Sequence, residues 1–261
     1  MPPGYRFAFC VEAQNMNPSL IILATILVSS HAFLHGGDKM GEPTVLDAYA
    51  RGALDGALEK FRTMIKTGNA SLGLPVLDPL SVVHYAIALD KEGLIEMNGL
   101  VTNLLAEGAS GFKIDASDFV LGGLKVHIGL TFPEITAKLG YAAKGKLMNT
   151  LEFYGAGDIS AIVKNFSFDA KFSFKLRNRK LYVPAMELKL FLGSLDLKIT
   201  GLYDDEEFSE LISVLVSDMT PQLLADYHDQ ITSPLSQYAV NFMNDFLKDK
   251  SLSDLLKMIR G

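Results

Sequence analysis

The feature that most constrains the fold is an unbroken alternation near the middle of the chain. From Phe166 to Leu176 every even position is apolar (Phe166, Phe168, Ala170, Phe172, Phe174, Leu176) and every odd one polar. Successive side chains of a strand point to opposite faces, so this pattern specifies an antiparallel strand with one buried face. Shorter copies occur at Leu124–Ile128, Met186–Leu190 and Leu195–Ile199. They place Val126, Ile128, Leu188 and Leu190 on buried faces. Val83, Tyr85, Ile87 and Leu89 mark the buried face of a first strand, and Ile95, Met97 and Val101 that of a second. Glycines at 108, 111, 122, 123, 140, 145, 155 and 157 separate or bend these strands.

Helical periodicity brackets this strand zone. Thr44 to Lys66 carries Leu54, Leu58, Phe61 and Ile65 on one stripe, with Thr44 as cap and Gly68 as terminator. Gly52 and Gly56 leave room for a backbone or ligand to approach, or are simply tolerated. Asp205 to Tyr227 is a second helix, which Pro221 breaks or kinks. A third begins at Ser233-Pro234 and runs to about Lys248, and Ser251 to Ile259 is a last amphipathic piece. Helix, long antiparallel sheet, helices is an α+β order.

The chain has 261 residues, 49% hydrophobic and 21% charged, and a net charge of -6. That composition supports a large core and gives no electrostatic basis for nucleic-acid binding. Ser19 to Val28 is an apolar run followed by Ser30 and Ala32, small residues at the -3 and -1 positions of a cleavage site. Residues 1–32 therefore read as a secretory signal peptide, with Met16 an alternative start and a signal anchor the competing reading. The run is too short for a comfortable membrane span. Residues 33–261 form a single domain, extracellular on this reading. The only cysteine, Cys10, precedes the cut, so the mature chain has no disulfide and no thiol chemistry. Asn69 and Asn165 open N-x-S/T sequons; Asn69 falls in a loop after the first helix, and Asn165 opens a strand.

Catalytic signatures are missing. His35, His84, His127 and His228 are widely spaced and suggest no metal site, and His84 and His127 read as solvated surface residues. There is no nucleophile elbow, P-loop or dinucleotide fingerprint. The reading is a non-enzymatic protein that requires no cofactor. The pattern does not fix its oligomeric state.

Between the first helix and the sheet stands Leu72-Gly73-Leu74-Pro75-Val76-Leu77-Asp78-Pro79-Leu80, an extended connection. With the signal peptide and the order of elements, this segment resembles the insect takeout and haemolymph juvenile-hormone-binding proteins. It resembles mite group 7 allergens more distantly. The resemblance implies a long helix wrapped by a strongly curved antiparallel sheet, enclosing an apolar tunnel. It also implies a juvenile-hormone-like isoprenoid, a fatty acid or a carotenoid as ligand. Members usually have a cysteine pair near the mature N-terminus; this chain does not, so the tunnel end is expected to close differently. Tunnel-lining candidates are Leu54, Leu58, Phe61 and Ile65 of the helix, and Val83, Tyr85, Ile87, Met97, Val126, Ile128 and Tyr141 of the strands. Phe166, Phe168, Phe172, Phe174, Leu188 and Leu190 complete the set. Tyr85 and Tyr141 are candidate head-group anchors. The alternative reading is a structural or signalling protein with a filled core that acts through its surface.

Overall fold

The computed structural model describes residues 45–70, 74–91, 95–148, 150–248 and 251. The signal peptide, the Thr44 cap and the amphipathic piece after Ser251 lie outside them. Helix α1 (Val45–Thr67) is followed by strands β1 (Leu80–Lys91) and β2 (Ile95–Glu107) and a 3-10 turn at Ala109–Gly111. Next come β3 (Lys113–Val120), β4 (Lys125–Leu147), β5 (Leu151–Ser173), a small hairpin of β6 (Lys175–Arg177) and β7 (Lys180–Tyr182), and β8 (Met186–Ile199). Helices α2 (Glu206–Asp226) and α3 (His228–Leu247) follow. The sheet is antiparallel in the order β1-β2-β4-β5-β8, and β3 shares the edge of β4 with β2. The expected α+β class is therefore the observed one.

The long strands do not keep one phase. In β4, Val126, Leu130 and Phe132 are buried; beyond Pro133 the inward positions are odd, and Glu134, Lys138 and Lys144 are exposed. β5 switches at Asn165 and β8 at Gly193. Phe132 pairs with Phe166 and Glu134 with Lys164, while Phe166 pairs with Leu192 and Lys164 with Ser194. The three switch residues therefore stand in one line across the sheet. Asn165 takes a left-handed φ of 49°, tolerated best by asparagine among residues with side chains. A Cβ on Gly193 would lie 2.9 Å from the Asn165 Cβ, so only glycine fits opposite it. Because Ile135 packs on the same cluster as Phe132, the apolar face stays continuous across the switch. Asn165 does not open a strand but sits exposed within β5.

The same device corrects the reading of β1. A bulge in β2 lies between Thr102 and Leu105, and Asn103 has a φ of 49°. β1 changes phase beside it: Val82 is half-buried, while Val83 is 66% exposed. Val83 therefore leaves the inward row that Tyr85 and Ile87 keep. The glycines at 140, 145, 155 and 157 also lie inside strands β4 and β5 and do not separate them.

The packed core occupies the half of the sheet that contains the Phe166–Phe174 alternation. Leu58 and Ile65 of α1 join Phe112, Leu130, Phe132, Phe168 and Leu190 in one cluster. Phe119, Val126, Leu181, Val183, Val240 and Leu247 form a second, under α3. Arg62 ties α1 to the 3-10 turn: its guanidinium donates to the Ser110 and Phe112 carbonyls at 2.8 and 2.6 Å and lies 4.0 Å over the Phe112 ring.

The proline-rich connection is stapled at Asp78. Leu77 N–H donates to the Ile65 carbonyl at 2.8 Å, and the Asp78–Pro79 peptide is cis. The Asp78 carboxylate accepts from Gly108 N–H at 2.9 Å, Ser110 N–H at 2.7 Å and the Ser110 hydroxyl. Burial pushes its pKa up, but the Ser110 and Gly108 hydrogen bonds and the Lys66 charge outweigh that and hold it below the usual carboxylate value.

β8 is an edge strand, and α2 covers it. Leu197, Ile199 and Leu202 donate their N–H groups to the hydroxyls of Ser217, Ser213 and Ser209, at 2.9, 2.8 and 2.9 Å. Each hydroxyl passes its own proton to the carbonyl four residues back, at 2.7 Å in all three cases. Serines one turn apart thus satisfy a backbone edge that would otherwise invite pairing with another chain. Pro221 does not end α2, and α3 begins at His228, five residues before the expected start, so Pro234 lies inside it. Nine carboxylates and no Lys or Arg fall between Thr200 and Leu247.

Two outcomes test these contacts. Ser213→Ala removes the acceptor of Ile199 N–H and should cost roughly 1–3 kcal/mol in urea unfolding; an unchanged midpoint would show that the serine ladder contributes nothing. Asp78 has a depressed folded pKa, so its contribution is full above the unfolded carboxylate value and is lost as pH falls through the folded one. The stability gap between the native chain and Asp78→Asn should therefore be wide at pH 7 and narrow at pH 3.

Candidate ligand-binding surface

The candidate lining residues fall into two groups. Leu58, Ile65, Val126, Phe168, Leu188 and Leu190 are buried. Leu54, Phe61, Ile128, Phe166, Phe172 and Phe174 are half-buried and pack against the two clusters. Ring centroids of Phe132 lie 6.1 Å from those of Phe166 and Phe168, and those of Phe172 and Phe174 are 5.4 Å apart. These are aromatic packing distances, and this half of the sheet is a packed core. Gly52 and Gly56 are exposed, and a Cβ on either would meet nothing within 4 Å.

The second group lies beyond the phase switches. Tyr85 pairs with Val101, Val101 with Tyr141, and Tyr141 with Gly157. One step along, Ile87, Gly99, Ala143 and Gly155 form a parallel row; a further step brings Met97, Gly145 and Phe153 together. Tyr85, Ile87, Met97, Val101, Tyr141 and Phe153 are all half-buried. Among the described residues no helix packs extensively on β1 or β2. The rows contain no charged residue; the middle positions are Val101 and Tyr141 in the first row and Gly99, Ala143 and Gly145 in the other two. The face is therefore apolar throughout, with small residues at the centre of two of its three rows.

Phe153, Gly99 and Ala143 complete this surface without having been singled out from the sequence, and Val101 and Gly155, read there as a buried-face residue and a strand-bending glycine, join it as lining. Their signal was present: small residues recur at odd positions between apolar odd neighbours in β2, β4 and β5.

Tyr141 donates its hydroxyl proton to the Thr200 carbonyl at 2.9 Å, and burial pushes its pKa up, so the phenol stays neutral. With its proton committed, it can offer a ligand only an acceptor. Asn69 is half-buried, with its amide 3.6 Å from the Met64 sulfur.

His127 is not a solvated surface residue. Its Nε2 meets Asp169, its Nδ1 is 3.5 Å from Asp118, and Asp118 pairs with Arg51 of α1 at 2.6 Å. This polar chain ties α1 to the sheet. Among the described residues no group of three or more His, Cys, Asp or Glu could hold a metal ion, and no helix is long and apolar enough to cross a membrane.

No curated protein matches the sequence. Twenty chains of solved structures are similar, two of them as follows. Takeout 1 of Epiphyas postvittana is 16% identical at a TM-score of 0.49, over 80% of this chain and 93% of that one. A lipopolysaccharide binding protein is 12% identical at a TM-score of 0.30, over 75% of this chain and 36% of that one. The model of the haemolymph juvenile hormone binding protein (JHBP) family matches residues 47–257, and the chain belongs to that family.

Proposed function

We propose that this protein is a secreted, non-enzymatic carrier of an elongated apolar ligand, held along the half of the sheet that α1 and α3 leave open. The observation that carries the reading is the half-buried, charge-free row of Tyr85, Ile87, Met97, Val101, Tyr141 and Phe153 on a continuous apolar face. Membership of a family described as juvenile hormone binding supports it. An isoprenoid, fatty acyl chain or carotenoid fits such a surface, because each buried methylene contributes about 0.8 kcal/mol without any directional contact. Met97 adapts to ligand shape, and the rings of Phe153 and Tyr85 offer flat surfaces to a chain or polyene. No cofactor is required. An internal tunnel is the form in which a carrier would shield its cargo from water.

A second reading is favoured by α2. Phe208, Leu211, Val214, Leu215, Met219 and Leu223 are exposed on this one helix, as on a surface that meets another protein.

A fluorescent polyene fatty acid separates the two. The carrier should bind it saturably, and Val101→Asp should weaken binding more than about ten-fold by placing a charge in the row, with little change in melting temperature. A protein that binds no such probe and yields no organic-extractable ligand from its native source would overturn the carrier reading.

A further inference from the structure

A separate cleft lies between the start of β8 and α3. It has a volume of about 300 Å³ and is lined by Met186, Leu188 and Val240 on its apolar side, and by Thr232, Ser233, Ser236 and Gln237 on its polar side. That volume is at the small end of the range for ligand sites and would hold about ten waters. Thr232 is 5% exposed, and its hydroxyl has no hydrogen-bond partner among the described residues. The Ser233 hydroxyl has none either. Ser236 donates to the Met186 carbonyl. The Gln237 amide nitrogen donates to Asn241 at 2.9 Å, which leaves its oxygen available. The Thr232 side chain is buried but its hydroxyl faces the cleft, where it is open to a partner that no protein group supplies.

We infer that this cleft is a binding site for a small neutral group that carries both a hydrogen-bond donor and an acceptor oxygen on a short apolar stem, such as an alcohol. The stem would rest on Met186, Leu188 and Val240, and the oxygen would meet Thr232, Ser233 and Gln237. No charged side chain lines the cleft, so an anionic or cationic head would lose its hydration with no counter-charge to replace it. The site does not depend on the carrier reading, because it sits beside the packed half of the sheet, where Met186 pairs with Phe172.

Two methionines make the test specific: Met186 reports on the cleft and Met97 on the open sheet face. In methyl-labelled protein titrated with 1-hexanol, hexanoate and hexylammonium, hexanol should move the Met186 methyl resonance saturably, and the two ions should not. Thr232→Val, which keeps the side-chain shape, should weaken the hexanol response about five-fold, within the range for one hydrogen bond. Gln237→Leu, at an exposed position, provides a second variant that does not threaten folding and should also weaken it. Equal responses to all three heads, a response at Met97 alone, or full binding by both variants would overturn the assignment. Failure of the polyene probe at the sheet face would leave this result intact, so the two proposals fail separately.

Discussion

A strand of 23 residues can bury one face along its whole length only if its phase never slips, because every residue adds a half-turn to the side-chain direction. β4, β5 and β8 all slip, and they slip together at Pro133, Asn165 and Gly193. A single slipped strand would set lysines against phenylalanines across the ladder. Three slips in register keep apolar beside apolar on both sides of the line. The core cluster with Leu58 and Ile65 of α1 lies against this line, at Phe132, Phe168 and Leu190. The line divides the sheet into a half whose bulky inward residues pack under helices and a half where large side chains alternate with Gly and Ala and, among the described residues, no helix packs extensively.

The two halves differ in what a substitution should do. Around Phe132 and Phe168 each side chain supports its neighbours, and a large-to-small change leaves a cavity that the surroundings fill poorly. Along Val101 and Gly99 fewer neighbours depend on any one side chain. Native proteins keep binding surfaces in such regions, since the packing that would stabilise them would also occupy the site. The polar connections run through the other elements: Asp78 holds the proline connection to the 3-10 turn, Arg62 and the His127 chain hold α1, and the serine ladder holds α2.

Much of this was legible in the sequence. Alternation from Phe166 to Leu176 and the stripe of Leu54, Leu58, Phe61 and Ile65 fixed the core half, because burial there follows simple periodicity. The segment Leu72–Leu80 pointed to the family, and Asp78 gives one of its residues a physical task. Val83 was misread because a bulge in a neighbouring strand moves the phase of β1, and no local pattern in β1 records its partner's irregularity. The serine ladder was missed for a similar reason. Ser209, Ser213 and Ser217 recur at a helical spacing, but their meaning depends on an unpaired strand edge that only the tertiary structure supplies. His127 looked solvated by alternation alone, and its two carboxylate neighbours come from other strands.

The carboxylates between Thr200 and Leu247 have an effect beyond their local contacts. With nine negative charges and no Lys or Arg in that stretch and a chain total of -6, the remaining residues carry +3. The protein is therefore an electric dipole written along its sequence, with an acidic helical part and a mildly basic remainder. Near a negatively charged surface at low ionic strength, the field would turn α2 and α3 away and bring the remainder forward. Salt would erase that preference in solution long before it affected the apolar packing that holds the molecule together.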